Sequence, residues 1–242
     1  MRLVWRALVI IGILAVLATA TAAMTPAAQG SCGGAVRCYA RAVFIPSGNY
    51  TGGLASINAS RLTFSGAGTF STTEMWVCDP QLFAGSDCNT WVEAGHTIGT
   101  RSVGSDTSLT GFWAEQDGGG CNNALYVEHY PSSISSVTLG ASYNYKISFN
   151  GSFRFAVYRN GSFVDNSAAC HDTPMSAMMT GLESNATGNQ ITATSSNLQK
   201  RNSDNTTWSY NWGGSVRENI PAGGPEHSSW ITPDASIQYG QN

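Results

Sequence analysis

Charge is scarce in this chain. Only 11% of its 242 residues are Asp, Glu, Lys or Arg, and 12 basic residues face 15 acidic ones for a formal charge of −3. So thinly charged and mildly acidic a surface excludes the basic footprint of a nucleic-acid binder and gives an anionic membrane nothing to attract. Metal-ligand spacing is missing too. No C-x-x-C or H-x-x-x-H pair occurs, so no metal and no other cofactor is expected. Long apolar runs are confined to the first 22 residues, and beyond them no stretch keeps a helical period.

Those first residues have the layout of a secretory signal peptide. Arg2 and Arg6 lead, Ala7 to Ala18 is apolar or small throughout, and Ala18-Thr19-Ala20 and Ala20-Thr21-Ala22 both resemble cleavage sites. The run is shorter than the roughly 20 residues that a membrane span needs. Residues 1–22 are therefore expected to be removed, leaving a secreted, extracellular chain without membrane attachment. Losing Arg2 and Arg6 with them takes the charge from −3 to −5.

The cysteines agree with export. Six is an even number, and disulfides are the default in an oxidising compartment. Short loops favour pairing Cys32 with Cys38 and Cys78 with Cys88, which leaves Cys121 for Cys170. Six Asn-X-Ser/Thr sequons, at Asn49, Asn58, Asn150, Asn160, Asn185 and Asn205, carry meaning only in a host that glycosylates its secreted proteins.

Alternating polar and apolar residues recur from Tyr39 to Trp212, in about eleven short runs separated by turn residues, and predict an all-β, two-sheet antiparallel β-sandwich of jelly-roll type. Asn150-Gly151 and Asn160-Gly161 are the strongest hairpin signals, because both central positions of the favoured two-residue turn need positive φ. The layout expected is a signal peptide over 1–22, an N-terminal segment over 23–37, a sandwich domain over 38–214 and an irregular flank over 215–242. A monomer is expected.

Two glutamates ninety positions apart, Glu93 and Glu183, occupy strand-like segments where a carboxylate is not the default. Alternation puts Trp91, Glu93 and Gly95 on one side of their strand and Gly181 and Glu183 on one side of theirs. In each strand a glycine lies two residues from the glutamate, leaving room for a substrate chain. Carboxylates on facing strands share a proton and handle a water molecule, which is acid–base hydrolysis. Trp113 with Glu115, and Tyr126 with Glu128 and Tyr130, supply two more faces of aromatic-plus-carboxylate character. Trp91, Trp113, Tyr126 and Glu128 are therefore the candidate substrate-binding residues, with cross-strand packing as the other role open to the aromatics.

Trp91-Val92-Glu93-Ala94-Gly95, Leu109-Thr110-Gly111-Phe112-Trp113 and Gly120-Cys121-Asn122-Asn123 resemble, in that order, the E-A-G-W strand, aromatic-pair strand and G-C-Y-N segment of plant neprosin domains. Gly181-Leu182-Glu183 resembles the later G-G-E of that family. Tyr126-Val127-Glu128-His129-Tyr130-Pro131 is similar to the Y-E-W-Y-P segment of fungal glutamic peptidases. The resemblance implies a glutamic peptidase in which Glu93 and Glu183 activate water against a peptide carbonyl at acid pH. His96 stands where the plant pattern has tryptophan and Leu182 replaces a glycine, so proline specificity and zymogen control are not carried over.

Two other classes fit the same residues. Paired glutamates and exposed aromatics also serve carbohydrate-active or carbohydrate-binding sandwiches, although the E-x-D-x-x-E signature of laminarinase-like enzymes is absent. A secreted structural or adhesion domain without chemistry is the third. The partner is accordingly a polypeptide or a polysaccharide.

Overall fold

A computed structural model describes residues 37–78, 83–84, 87–88, 90–99, 108–117, 126–169, 171 and 175–241. The expected signal peptide and most of the expected N-terminal segment lie outside them. In chain order the strands are β1 (Cys38–Phe44), β2 (Tyr50–Leu62), β3 (Phe70–Cys78), β4 (Phe83–Ala84), β5 (Asp87–Cys88), β6 (Thr90–Gly99), β7 (Thr110–Asp117), β8 (Tyr126–His129) and β9 (Ser142–Gly151). They continue as β10 (Arg154–Arg159), β11 (Ser162–Asn166), β12 (Ala177–Ser184), β13 (Ile191–Asn202), β14 (Trp208–Tyr210), β15 (Val216–Ile220), β16 (Glu226–Thr232) and β17 (Ser236–Gln241). No helix occurs among the described residues.

Two large antiparallel sheets make the sandwich that the alternating pattern predicts. The first runs β15-β1-β12-β3-β6-β7-β8; the second runs β11-β10-β9-β2-β13-β17-β16, with β14 added to β13. Their facing sides interlock. Met75, Val77, Val92, Ala94, Trp113 and Met178 of the first sheet pack with Ala55, Ile57, Tyr145, Ile147, Phe155 and Val157 of the second. Burying this apolar surface is the main stabilising term.

β3, β6 and β12 are buried along almost their whole length, whereas the edge strands β11 and β15 are mostly exposed. A strand buried on both sides has cover on both sheet faces. On the first sheet, the cover away from the sandwich interior includes a separate apolar cluster of Val43, Trp76, Cys78, Ala177 and Met179, with Tyr39 and Trp91 packed on it.

Two expectations are corrected. The segment 215–242 is not an irregular flank: β15 closes one edge of the first sheet against β1, and β16 and β17 extend the second from β13. Its alternation is short and broken by Pro221 and Pro233, so cross-strand pairing rather than local pattern makes these strands. The first hairpin turns at Ser152 and Phe153, both with positive φ (55° and 59°), while Gly151 pairs with Arg154 and the register slips one residue beyond. Asn160-Gly161 turns where predicted, with φ of 50° and 81° between paired Arg159 and Ser162.

Candidate active site

Register assembles the site. Residues paired across an antiparallel ladder share a face, and alternate residues along a strand return to it. Because Met75, Val92 and Ala94 point into the sandwich, their neighbours Glu74 and Glu93 point to the outer face of the first sheet. That face carries Tyr39 and Arg41 on β1, Gly181 and Glu183 on β12, and Thr72, Glu74 and Trp76 on β3. It continues through Trp91, Glu93 and Gly95 on β6, Ala114 and Gln116 on β7, and Tyr126 and Glu128 on β8.

Glu93 and Glu183 thus share one face, but not as expected. They belong to the same sheet with β3 between them. Glu93 stands opposite Trp76, and Glu183 opposite Thr72. A third carboxyl, Glu74, fills that offset. It pairs with Gly95 on one side and Gly181 on the other, so it is the diagonal neighbour of both glutamates, at Cβ distances on the order of 7 Å. The two glycines do less for substrate access than their spacing suggests. A Cβ on Gly95 would stand 2.6 Å from Glu74 Cβ, and one on Gly181 would stand 2.6 Å from Arg41 Cβ, so neighbouring side chains already use that room.

Sequence reasoning missed Glu74. Its setting, Thr72-Thr73-Glu74-Met75-Trp76, has the feature that singled out Glu93: a carboxylate among strand formers with a tryptophan two residues away.

Each carboxyl has its own surroundings. Glu93 is 2% exposed and accepts hydrogen bonds from Trp91 Nε1 (2.7 Å, to Oε2) and from the Tyr126 hydroxyl (2.6 Å, to Oε1). Burial and the Glu183 charge push its pKa up to about 8 against the pull of those donors. Glu74 is 1% exposed and accepts from the Thr72 hydroxyl at 2.5 Å. Burial, then the Glu93 and Glu183 charges, hold it well above the usual carboxylate range. Glu183 is half-buried and forms an ion pair with Arg37 at 3.0 Å. Burial raises it as well, with Arg37 and Arg41 pulling the other way.

Trp91, Tyr126 and Glu128 lie on the same face as Glu93. The Trp91 and Tyr126 ring centroids lie 6.2 Å apart, and Tyr126 also approaches Glu128 Oε1 at 3.2 Å. Tyr130 donates to Glu128 Oε2 at 2.6 Å. Trp113 is not part of it. This residue is 1% exposed, points into the sandwich core and stacks on His129 with centroids 3.8 Å apart. It alternates with Phe112 and Ala114, so strand parity sends it to the other face.

Glu115 follows Trp113 inward. It accepts a backbone hydrogen bond from Ala168 at 2.8 Å and lies 3.4 Å from His171 Nε2 and 3.5 Å from His129 Nε2. These contacts outweigh its burial and bring its pKa down to about 2. His96 is buried on the same side, edge-on to Tyr143 and Tyr145, and burial lowers its pKa to about 3.

Cys38 and Cys78 are disulfide-bonded. They stand level with Ser184 and Ala177 at opposite ends of β12, too far apart to join each other. Their partner side chains, and the expected pairings with Cys32 and Cys88 and of Cys121 with Cys170, lie outside the described residues.

No family model matches the chain, and no curated protein matches it by sequence. Solved structures match the fold. Scytalido-glutamic peptidase, in a complex with a peptide-based transition state analog, superposes with a TM-score of 0.54 at 8% identity, over 84% of this chain and 97% of that one. SCP-B, a member of the Eqolisin family of peptidases in a complex with the tripeptide Ala-Ile-His, gives 0.50 at 10% identity, over 84% and 96%. At such identities the likeness is one of fold.

Proposed function

We propose that this protein is a secreted, glutamic-type endopeptidase that activates water with Glu93 and Glu183 in acid. The observation that carries the reading is the placement of both carboxyls on one face of one sheet, with Glu93 gripped by Trp91 and Tyr126. The neprosin-like motifs and the peptidases that share the fold point the same way. Glu183 beside Arg37 is the ionised base, and Glu93, buried and raised to about 8, is the acid. Glu183 takes a proton from water as the water oxygen attacks the peptide carbonyl, and Glu93 gives its proton to the carbonyl oxygen. On collapse the C–N bond breaks, the amine leaves with the proton held by Glu183, and Glu93 recovers its proton from a hydroxyl of the intermediate.

The test is cleavage of a denatured protein or peptide library by the purified protein over a pH series from about 3 to 8; activity belongs to the part of that range where Glu183 has ionised and Glu93 still holds its proton. Glu93→Gln and Glu183→Gln each abolish it; wild-type cleavage by either variant removes that residue from the mechanism.

One observation favours a second reading. The tilted Trp91 and Tyr126 rings, half-exposed beside a carboxyl, also suit a sugar ring. Retention on polysaccharide that depends on Trp91, without proteolysis, would select it. Neither activity would leave a structural domain.

A further inference from the structure

Glu93 has Trp91 and Tyr126 as donors, and Glu183 has Arg37. Glu74 has the hydroxyl of Thr72 alone, and its Oε2 is buried with no hydrogen-bond partner among the described residues. An ionised carboxylate 1% exposed, with one oxygen unmet and two further glutamates as diagonal neighbours, would be strongly unfavourable. Glu74 is therefore protonated. Thr72 donates to Oε1, so the proton sits on Oε2, which leaves a buried O–H donor among carboxyls that change charge during the reaction.

We propose that Glu74 is a third working carboxyl of this site, a positioning residue whose Oε2–H turns to Glu93 and holds its negative charge once Glu93 has given its proton to the substrate carbonyl. The idea rests on the hydrolytic reading above. It has a direct chemical consequence: three carboxyls carry one negative charge throughout the cycle, because Glu74 keeps its proton while Glu93 and Glu183 exchange theirs with substrate and water. Its strongest electrostatic partner is Glu93, ahead of Glu183, in accord with that pairing. Gly95, level with Glu74 and without a Cβ, leaves the side chain free to lie over β6 toward Glu93.

The experiment pairs kinetics with a protonation readout in the full-length protein. Glu74→Gln keeps a neutral donor in the same volume. It is expected to retain kcat within a few-fold and to leave the pH profile in place. Glu74→Leu keeps bulk and loses the donor, and kcat falls about a hundredfold with little change in KM, as for other lost donors to developing charge. Carboxyl-carbon NMR of glutamate-labelled protein at neutral pH should show a protonated carboxyl that Glu74→Gln removes. That measurement stands even if the wild type cleaves nothing, an outcome that would sink the peptidase reading alone. The proposal is overturned if the Glu74 resonance is that of a carboxylate, if Glu74→Gln is as inactive as Glu93→Gln, or if folded Glu74→Leu keeps its kcat.

Discussion

The Tyr126 hydroxyl donates to Glu93 Oε1 across 2.6 Å, from β8 over the small Ala114 of β7 to β6. A phenol has one proton, and this short contact takes it. The bond favours the charged form of Glu93, against burial and the Glu183 charge. Tyr126→Phe removes the donor and keeps the ring beside Trp91. Glu93 then holds its proton more tightly, so the alkaline limb of kcat/KM moves to higher pH. The rate falls at least about tenfold, because the carboxylate left after proton transfer is less well held. A pH–rate profile superposable on that of the wild type would show that the contact has no part in the chemistry.

Stability should fall as pH rises. Glu93 titrates at about 8 in the folded chain against an ordinary 4.5, so between those values the folded state binds a proton that the unfolded state has lost. That contribution is fully present below about pH 4.5 and disappears as pH approaches 8, a loss on the order of several kcal/mol. Glu93→Gln carries no proton to lose. Its Tm should fall less steeply across this range than that of the wild type, with the slope that remains belonging to Glu74 and Glu183, as read by thermal unfolding at a series of pH values. Parallel curves for the two proteins would refute the assignment.

The sandwich was legible in the sequence because strands buried on one face alternate, as β13 does from Ile191 to Ser195, where buried and more exposed residues take turns. The last three strands were not legible, since β15 is a mostly exposed edge that exists by pairing with β1. Glu93, Glu183, Trp91, Tyr126 and Glu128 were all found by parity, which fixes who shares a strand face. Parity on a single strand does not say which face points outward. For that reason Trp113, equally aromatic and equally close to a carboxylate in sequence, landed in the core. Strand order is also invisible to parity. Glu93 and Glu183 read as a facing pair, and β3, which carries Glu74 between them, became visible only in the sheet.

Glu115 should behave oppositely to Glu93. Set between His129 and His171 and bonded by the Ala168 amide, it titrates near 2, below the ordinary 4.5. Its contribution is present above about pH 4.5 and is lost as pH falls toward 2. Glu115→Gln should destabilise the fold by about 2 kcal/mol at neutral pH, the worth of charge-assisted contacts in a buried setting. Denaturant unfolding at pH 7 and pH 2 measures this, with the gap between variant and wild type narrowing at the lower value. The site on the outer face is untouched, so kcat per folded molecule should hold. A gap independent of pH would mean that Glu115 contributes packing and no charge.

Gly95→Ala tests how tightly the site is built. The new methyl carbon would stand 2.2 Å from the Thr73 carbonyl oxygen and 2.6 Å from both Cα and Cβ of Glu74. Two of these three atoms are backbone, in a central strand buried on both faces, so the clash is relieved only by parting β3 from β6. Overpacking of this kind costs about 1–3 kcal/mol or more, and here the displacement falls on Glu74 and on the register that places it beside Glu93. The expected outcome is a lower Tm together with a loss of kcat in the molecules that remain folded. Gly66→Ala is the control: a Cβ there meets nothing within 4 Å, so both quantities should stay near wild type. If Gly95→Ala instead matched that control, β3 and β6 would have room to spare, and the close fit between Gly95 and Glu74 would not be what holds the carboxyls in place.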